Sequence, residues 1–219
     1  MKSPTELSET LDLAKSPDDA MRVLVEAYGV IDGIVRECVR SNNIQLACKE
    51  KCPLCCVFRV DARAHEVFLI ASHIAKSLND TQQDLLKQKL EEYTEKVRAM
   101  SYREHLATNI TCPLLEDDIC SIYPVRPIGC RRHHALDFEG CVYSYEHPED
   151  LTFPGSFNIT LKMTIAHAEA IVNQLFSTHQ FDSTVYEFSS TLLLALDSNK
   201  FRHRWFDRKK AFPGALETT

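Results

Sequence analysis

Nine cysteines, all between positions 38 and 141, constrain this chain more than any other feature of its 219 residues. Eight of them form two groups in the sequence, Cys48, Cys52, Cys55 and Cys56 in the first and Cys112, Cys120, Cys130 and Cys141 in the second. The amino-terminal sequence MKSPTELSET lacks the apolar stretch of a secretory signal, so we expect a cytoplasmic chain with reduced thiols. Cysteines grouped in a reducing compartment indicate bound metal rather than a disulfide framework.

The composition is that of a folded, helix-rich chain, and it argues against a nucleic-acid or membrane partner. Hydrophobic residues make up 44%, charged residues 26%, and glycine occurs six times, which is typical of a globular protein. The net charge of −6 argues against nucleic acid, because nucleic-acid-binding domains are basic. No apolar run reaches the ~18 residues of a membrane span. We therefore expect an unknown protein or small-molecule partner, with no nucleic acid and no membrane.

Apolar residues that recur every three or four positions predict a set of amphipathic helices. The stripe that runs from Met21 to Val35 is continued by Cys38, which we expect to be a buried core thiol. Asp61 and Asp182 are expected to cap the helices that begin near them. Helices are predicted at 5–15, 18–40, 61–78, 80–106, 158–178 and 183–197.

Residues 108–157 differ, because they contain five prolines, four cysteines and no sustained helical period. A structureless stretch of that length is unusual in a compact domain, and bound metal would hold it in place. We therefore predict an all-α fold, a helical domain with a long irregular cysteine-rich metal-binding loop region. A single domain is expected over 1–219, with N-terminal helices at 1–47, a cysteine-cluster metal-binding core at 48–145 and C-terminal helices at 158–210.

The two cysteine groups are compatible with either one or two metal sites. The first group places four thiols within nine residues, which brings them together at low entropic cost. Because Cys55 and Cys56 are adjacent, we expect their side chains to diverge, so that one of them serves a second metal, supports the first or is reactive. The second group matches no zinc-finger spacing and needs tertiary structure to converge. The eight thiols complete either two four-thiolate sites or one site with spare thiols.

The identity of the metal is less constrained than its ligands. Thiolates suit both zinc and iron–sulfur clusters, and the irregular spacing with more than four thiols favours an iron–sulfur cluster, with zinc as the alternative. Arg126, Arg131 and Arg132 are close enough in sequence to offset thiolate charge. We predict that Arg131 binds the cofactor; the alternative is that it forms an internal ion pair.

Histidine contributes little to the predicted site. His133 and His134 follow Cys130 closely, and we expect them to support the site rather than to ligate the metal. The other histidines lack ligand spacing and are expected on helix faces or at the surface.

Two stretches of the chain resemble a known family. The end of the first group, Cys52-Pro-Leu-Cys55-Cys56, is similar to the element that names the CxxCxxCC (YkgJ-like) cysteine-cluster family, a zinc- or iron-chelating domain. The second block resembles that family's later signature, Cys112-Pro-Leu-Leu followed by Cys120-Ser-Ile-Tyr-Pro-Val-Arg-Pro-Ile-Gly-Cys130-Arg131. The resemblance covers roughly 48–141 and implies a metal centre held by the grouped cysteines up to Cys130, with Cys141 as a further candidate. One departure is that three residues separate Cys48 from Cys52, where the family's name has two.

The resemblance implies no defined reaction, so three functions stay open. The first is a metal-binding protein whose precise role is unknown. The second is an iron–sulfur enzyme, either an oxidoreductase or an S-adenosylmethionine-dependent protein-modifying methyltransferase, because flagellin lysine methylases carry a related cysteine cluster. The third is a zinc-stapled protein-interaction module. The sequence contains no GxGxxG, P-loop, GxSxG or HExxH motif, so catalytic residues stay unassigned.

Overall fold

Helices dominate the structure, a computed structural model that describes residues 2–218. The α-helices are α1 (Pro4–Asp12), α2 (Pro17–Ser41), α3 (Ala64–Ser77), α4 (Asp80–Arg98), α5 (Tyr102–Leu106), α6 (Ile128–Arg131), α7 (Phe138–Glu146), α8 (Ile159–Thr178), α9 (Phe188–Asp197) and α10 (Lys200–Phe206). The strands are β1 (Asp61–Arg63), β2 (Leu115–Glu116), β3 (Ile119–Cys120) and β4 (Val185–Glu187), and a 3-10 turn spans Tyr123–Val125. With 58% helix and 5% strand, the all-α prediction is confirmed.

Helix α2 forms where the apolar stripe predicted a helix. The Ser16 side chain accepts from the backbone N–H of Asp19, and Pro17 occupies the first turn, where its missing N–H costs no helical hydrogen bond. The buried face runs from Ala20 to Ile31 and packs against α1, α3 and α8. Helix α2 is therefore central to the scaffold, because its apolar stripe packs against three other helices.

Two predicted helix starts are wrong, and a short antiparallel ladder replaces them. Asp61 lies in β1 and pairs with Glu187 of β4, so α3 begins three residues later than predicted and α9 begins after Glu187. The Glu66 carboxylate accepts from the Arg63 N–H at 2.9 Å, and that of Glu187 accepts from the Ser190 N–H at 2.7 Å. The ladder thereby holds the amino-terminal ends of α3 and α9 side by side.

Two further boundaries differ from prediction. The helix expected at 80–106 is divided into α4 and α5, and the Ser101 side chain caps α5 by accepting from the Glu104 N–H at 3.2 Å. Asp182 does not cap a helix, because its carboxylate accepts from Thr184 N–H at 3.0 Å and from the Tyr186 hydroxyl at 2.6 Å. Local polar contacts of this kind compete with helix formation.

A single large cluster of buried apolar side chains lies between the helices. Trp205 of α10, which is fully buried, packs against Phe68 of α3 and against Phe181. The cysteine-rich segment adds Leu114 and Ile128 to this cluster, and so the loop region is anchored to the scaffold. Within residues 2–218, every helix is too short or too polar to cross a membrane.

Candidate metal centre

The first cysteine group is joined to the start of the second by main-chain hydrogen bonds. The Cys112 N–H donates to the Cys56 carbonyl at 2.8 Å, and the Ile110 N–H donates to the Val57 carbonyl at 3.2 Å. The Cys56 N–H donates to the Pro53 carbonyl at 2.8 Å, which folds the first group into a tight turn. Segments more than fifty residues apart therefore meet where both contain cysteine.

A small hairpin then brings Cys120 back beside Cys112. Strands β2 and β3 pair Leu115 with Cys120, and the turn between them places Asp117 and Asp118 at φ 49° and 63°. Two consecutive positive φ values are those of a type I′ turn, the connection that matches the twist of a two-stranded hairpin. The Ser121 N–H donates to the Leu114 carbonyl at 2.9 Å, so the base of the hairpin is closed.

Cys112, Cys120 and Cys130 form what we call the inner group. Burial is the largest cause of the raised pKa of the Cys130 thiol, and the neighbouring Cys112 and Cys120 thiols raise it further. Burial also raises the pKa of Cys112 to about 11 and raises that of Cys120. These three thiols are thus half-buried neighbours, and Cys112 and Cys120 pack against the core. Their raised pKa keeps them protonated at neutral pH until a metal replaces the protons.

Cys48, Cys52 and Cys141 form what we call the outer group. The Ala47 N–H donates to the Ala135 carbonyl at 2.8 Å, and the Ala135 N–H lies 3.4 Å from the Cys48 sulfur. Cys141 lies on α7, and burial followed by the nearby Cys48 and Cys52 thiols raises its pKa. Cys141 is therefore close to Cys48 and Cys52, although Cys130 is nearer to it in the sequence.

Cys55 and Cys56 lie between these groups. We expected their side chains to diverge, but a hydrogen bond with the Cys56 thiol is the largest cause of the raised pKa of Cys55. Cys55 also raises the pKa of Cys130 and of Cys141. This adjacent pair is therefore near both the inner and the outer group.

The chemistry of these donors fits a thiophilic metal. The domain contains eight grouped cysteines, and thiolates are the preferred ligands of zinc and of iron–sulfur clusters. Among residues 2–218 no three His, Cys, Asp or Glu side chains already have the geometry of a metal site. The residues that would hold the metal are the inner group, the outer group and the pair Cys55 and Cys56; which of them ligate remains a prediction.

The two adjacent histidines lie beside the site. His133 is exposed and packs edge-on against Phe58 with 5.8 Å between ring centres. Although His133 as a whole residue is exposed, desolvation of its ring lowers its pKa, and burial lowers the pKa of His134. Both rings are therefore mainly neutral at pH 7. Their predicted supporting role stays a prediction.

Arg131, predicted to bind the cofactor, is directed into the scaffold. Its side chain is 1% exposed, and its Nη1 donates to the two carboxylate oxygens of Asp32 at 2.6 and 2.7 Å. Its Nε donates to the Arg126 carbonyl at 3.0 Å, and the guanidinium lies 4.2 Å from the centre of the Tyr28 ring. This is the internal ion pair that the sequence left as the alternative. Cofactor binding by Arg131 stays a prediction, since these contacts are all with protein groups.

Arg126 is the arginine whose charge is directed at the thiols. Burial raises the pKa of Cys120 and of Cys130, and the Arg126 guanidinium opposes that rise in both. Its Nη1 donates to the Tyr123 carbonyl at 2.8 Å, and the guanidinium stacks 3.8 Å from the Tyr123 ring centre. Arg126 is therefore positioned to offset the charge of thiolates.

Several residues that position the site were missed from the sequence. Tyr28 donates to the Glu66 carboxylate at 3.0 Å, and the same oxygen accepts from the Ile128 N–H at 2.7 Å. Glu66 is almost fully buried, so it fastens the start of α6, and with it Cys130, to α2 and α3. A glutamate inside the apolar sequence His-Glu-Val-Phe-Leu-Ile was the available signal, because a buried charge needs partners.

Two histidines that we expected on helix faces or at the surface are buried. His65 is 1% exposed and stacks on Phe176 at 4.3 Å, while His105 is 2% exposed. The Nδ1 of His105 accepts from the Arg59 guanidinium at 2.9 Å, so the neutral ring carries its proton on Nε2, which donates to the Tyr93 hydroxyl at 3.0 Å. The helical period alone does not show which histidines face the core, because an imidazole ring is accommodated at both core-facing and solvent-facing positions of a helix.

Comparison with known proteins identifies one domain. Residues 47–152 match the family model described as "CxxCxxCC: Putative zinc- or iron-chelating domain". Searches of curated proteins and of solved structures found no match. The matched segment begins immediately before Cys48 and includes Cys141, and hence all eight grouped cysteines. The cysteine-rich segment at 47–152, slightly less than half of the chain, is therefore similar to the CxxCxxCC family.

Proposed function

We propose that this chain is a metal-binding protein whose cysteines ligate an iron–sulfur cluster, with zinc as the alternative metal. One observation carries the proposal: a main-chain hydrogen bond joins Cys112 to Cys56, at 2.8 Å, and so brings the first cysteine group next to the start of the second. Folding these loops costs conformational entropy that their few apolar residues offset only in part. Metal–thiolate bonds would supply the remaining free energy.

The number of thiols supports an iron–sulfur cluster over a single structural zinc. A structural zinc site is complete with four ligands, whereas eight cysteines lie in this domain. The guanidinium of Arg126 would offset part of the negative charge of a thiolate-ligated cluster, and such charge sets its reduction potential. The proposal includes a reducing, cytoplasmic location, which would keep all nine cysteines unpaired, as they are in the structure.

Purification without oxygen, followed by metal analysis and an ultraviolet–visible spectrum, tests this proposal. We expect a brown protein with a broad band near ~400 nm that contains iron and acid-labile sulfide. A colourless protein with stoichiometric zinc would establish the alternative metal. A protein that retains neither metal, and that takes up neither on reconstitution, would contradict the function itself. The oxidoreductase and methyltransferase hypotheses both require the first outcome.

A matched pair of variants separates specific ligation from adventitious binding. Cys112→Ser/Cys130→Ser removes two half-buried thiols of the inner group, whereas Cys38→Ser removes the one cysteine that lies outside the two groups of the sequence. The Cys38 sulfur lies 4.0 Å from the Thr164 hydroxyl and next to the small apolar cluster around Ile165. We expect the double variant to lose metal and the single variant to retain it.

A further inference from the structure

The cleft where α1 meets the end of α8 contains a histidine with a hydrogen-bond acceptor at each ring nitrogen. His179 follows the last residue of α8, and its side chain is 11% exposed. Its Nδ1 lies 2.7 Å from the Leu175 carbonyl oxygen, and its Nε2 lies 3.1 Å from a carboxylate oxygen of Asp12 at the end of α1. The Ser8 hydroxyl, one turn earlier on α1, is 3.5 Å from the same Nε2.

These contacts require different protonation states of the ring. A neutral imidazole carries one proton, and the Leu175 carbonyl, which can only accept, takes that proton on Nδ1. Nε2 then presents a lone pair to the Asp12 carboxylate, which cannot donate, whereas the Ser8 hydroxyl can donate to it. Only the doubly protonated ring donates to Leu175 and to Asp12 together. The charge of the ring therefore determines which α1 side chain His179 holds.

The charges around His179 act on this choice in opposite directions. Asp12 is the last residue of α1, whose last turn contains no basic residue, and the helix dipole disfavours a carboxylate there. An imidazolium beside it offsets that cost and is itself favoured at the carboxyl end of α8. Among the residues described, Arg208 is the other charged side chain that lines the cleft, with Thr178 and Gln180 uncharged. Its Nε donates to the His179 carbonyl at 2.8 Å, so its charge opposes the imidazolium.

We propose that His179 is a pH-operated latch, which fastens the last turn of α1 to the end of α8 when its ring is charged and releases Asp12 when its ring is neutral. Histidine suits this role because its charge changes between about pH 5 and 8. The buried side chains of Leu7 and Leu11 hold α1 against the core in both states, so only the last turn opens. The latch is independent of the function proposed above, because none of the eight grouped cysteines takes part in it.

Hydrogen exchange of the intact chain at about pH 5.5 and pH 8 tests the latch. The reporter is the Leu13 amide, which donates to the Glu9 carbonyl at 3.3 Å and so closes the last turn of α1. After correction for the intrinsic effect of pH on exchange, we expect its protection to be about twofold to fivefold higher at the lower pH, the range for an exposed ion pair. Equal protection at the two pH values would overturn the proposal.

A matched pair of variants shows whether Asp12 is the partner. Asp12→Asn removes the charge that the imidazolium holds, and its Leu13 amide should be equally protected at both pH values. Glu9→Gln makes the same charge change at an exposed position of the same helix, and it should keep the pH effect of the wild type. A pH effect that persists in Asp12→Asn would contradict the latch. Because the variants share one metal content and are compared at each pH, release of metal at low pH cancels.

The position of the ring proton provides a test that does not depend on stability. Ring ¹⁵N shifts of His179, assigned by their loss in His179→Gln, distinguish a proton on Nδ1 from one on Nε2. We expect the proton on Nδ1 at about pH 8, because the Leu175 carbonyl holds it there, and protons on both nitrogens at about pH 5.5. A neutral ring with its proton on Nε2 would rule out the latch, since it would donate to Asp12 without any charge.

Discussion

Arg131 lies in a two-pronged ion pair with Asp32, from whose two oxygens its Nη1 atom is 2.6 and 2.7 Å away, although 99 positions separate the two residues in the sequence. The pair ties α6, and therefore Cys130, to α2. Charge-assisted bonds to both oxygens of a carboxylate impose geometry as well as free energy. Arg131, for which cofactor binding stays a prediction, thus fastens the helix that carries a candidate metal ligand to the scaffold.

Arg131→Met tests this positioning role. The substitution leaves Asp32 and the carbonyl groups of Arg126 and Pro124 without their donor. We expect the free energy of unfolding to fall by about 2–3 kcal/mol. Breaking a fully buried ion pair costs about 3–5 kcal/mol. We expect a smaller loss here, because the Asp32 side chain is 38% exposed. Urea unfolding measures the change, and zinc affinity should fall with it.

Arg132→Met is the matched control for this substitution. Arg132 is 59% exposed and pairs with Glu169 at 3.2 Å, and such surface pairs contribute about 0–1 kcal/mol. Equal destabilisation by the two variants would contradict the role assigned to Arg131. Arg131→Lys should recover only part of the loss, since an ammonium group cannot reproduce the planar contacts.

His65→Phe should stabilise the protein at pH 7. His65 is 1% exposed, and neither of its ring nitrogens has a hydrogen-bond partner within residues 2–218. Its ring stacks on Phe176 at 4.3 Å, a position in which phenylalanine keeps the aromatic contact. Removing unpaired buried polar atoms should raise the free energy of unfolding by about 1–2 kcal/mol, as measured by urea unfolding. His73→Phe, at a half-exposed position of the same helix, should change it by less than about 0.5 kcal/mol.

The benefit of His65→Phe should increase as the pH falls. Burial, reinforced by Arg63, lowers the pKa of His65 to about 3, below the value near 6.5 of an unfolded chain. The unfolded state therefore binds this proton first, and the wild type loses stability as the pH falls from about 6.5 toward 3, by at most about 1.4 kcal/mol per pH unit. Taking the difference between variant and wild type at each pH cancels the contribution of metal release. A difference that is the same at pH 7 and pH 4.5 would contradict the assignment.

Arg126→Gln should weaken metal binding without unfolding the protein. The Arg126 guanidinium opposes the burial that raises the pKa of Cys120 and Cys130, so its loss makes both thiols harder to deprotonate. We expect zinc affinity at pH 7.5 to fall about threefold to tenfold, and the effect to shrink at high salt. Competition with a chromophoric chelator measures the affinity. Arg132→Gln carries the same charge change and should leave the affinity within about twofold, because that guanidinium pairs with Glu169.

The long helices were predictable because their cause is local. A 3.6-residue apolar period, with Ser16 as cap and Pro17 in the first turn, is sufficient to predict α2. Strand β1 was not predictable, because Asp61–Arg63 pairs with Val185–Glu187 and the sequence contains no local sign of that distant partner. Three-residue strands are also too short to show an alternating pattern.

The cysteines of the candidate site were predictable, but their arrangement was not. Residue type and count predicted which thiols belong to the domain. Sequence proximity placed Cys141 with Cys130, whereas the structure places it with Cys48 and Cys52, because α7 folds back over the first loop. Sequence proximity likewise could not distinguish Arg126 from Arg131. Arg126 follows the 3-10 turn and counteracts the rise in the pKa of nearby thiols, whereas Arg131 ends α6 and pairs with Asp32. Tertiary contacts decide both outcomes.

Metal removal should loosen the cysteine-rich segment while the helical scaffold remains folded. The main core is built from helices α1–α4 and α8–α10, and the cysteine-rich segment adds only a few side chains such as Leu114, Ile122 and Ile128. Trp205, the single tryptophan, is fully buried against Phe68 and Phe181. After chelation without oxygen we expect little change in far-ultraviolet circular dichroism or in Trp205 emission, together with rapid proteolysis inside 108–157, because cleavage follows local opening. Loss of the helical signal together with the metal would show instead that the scaffold depends on the metal, as in small zinc domains that are unfolded without it. Cys38→Ser, chelated in the same way, should behave as the wild type does.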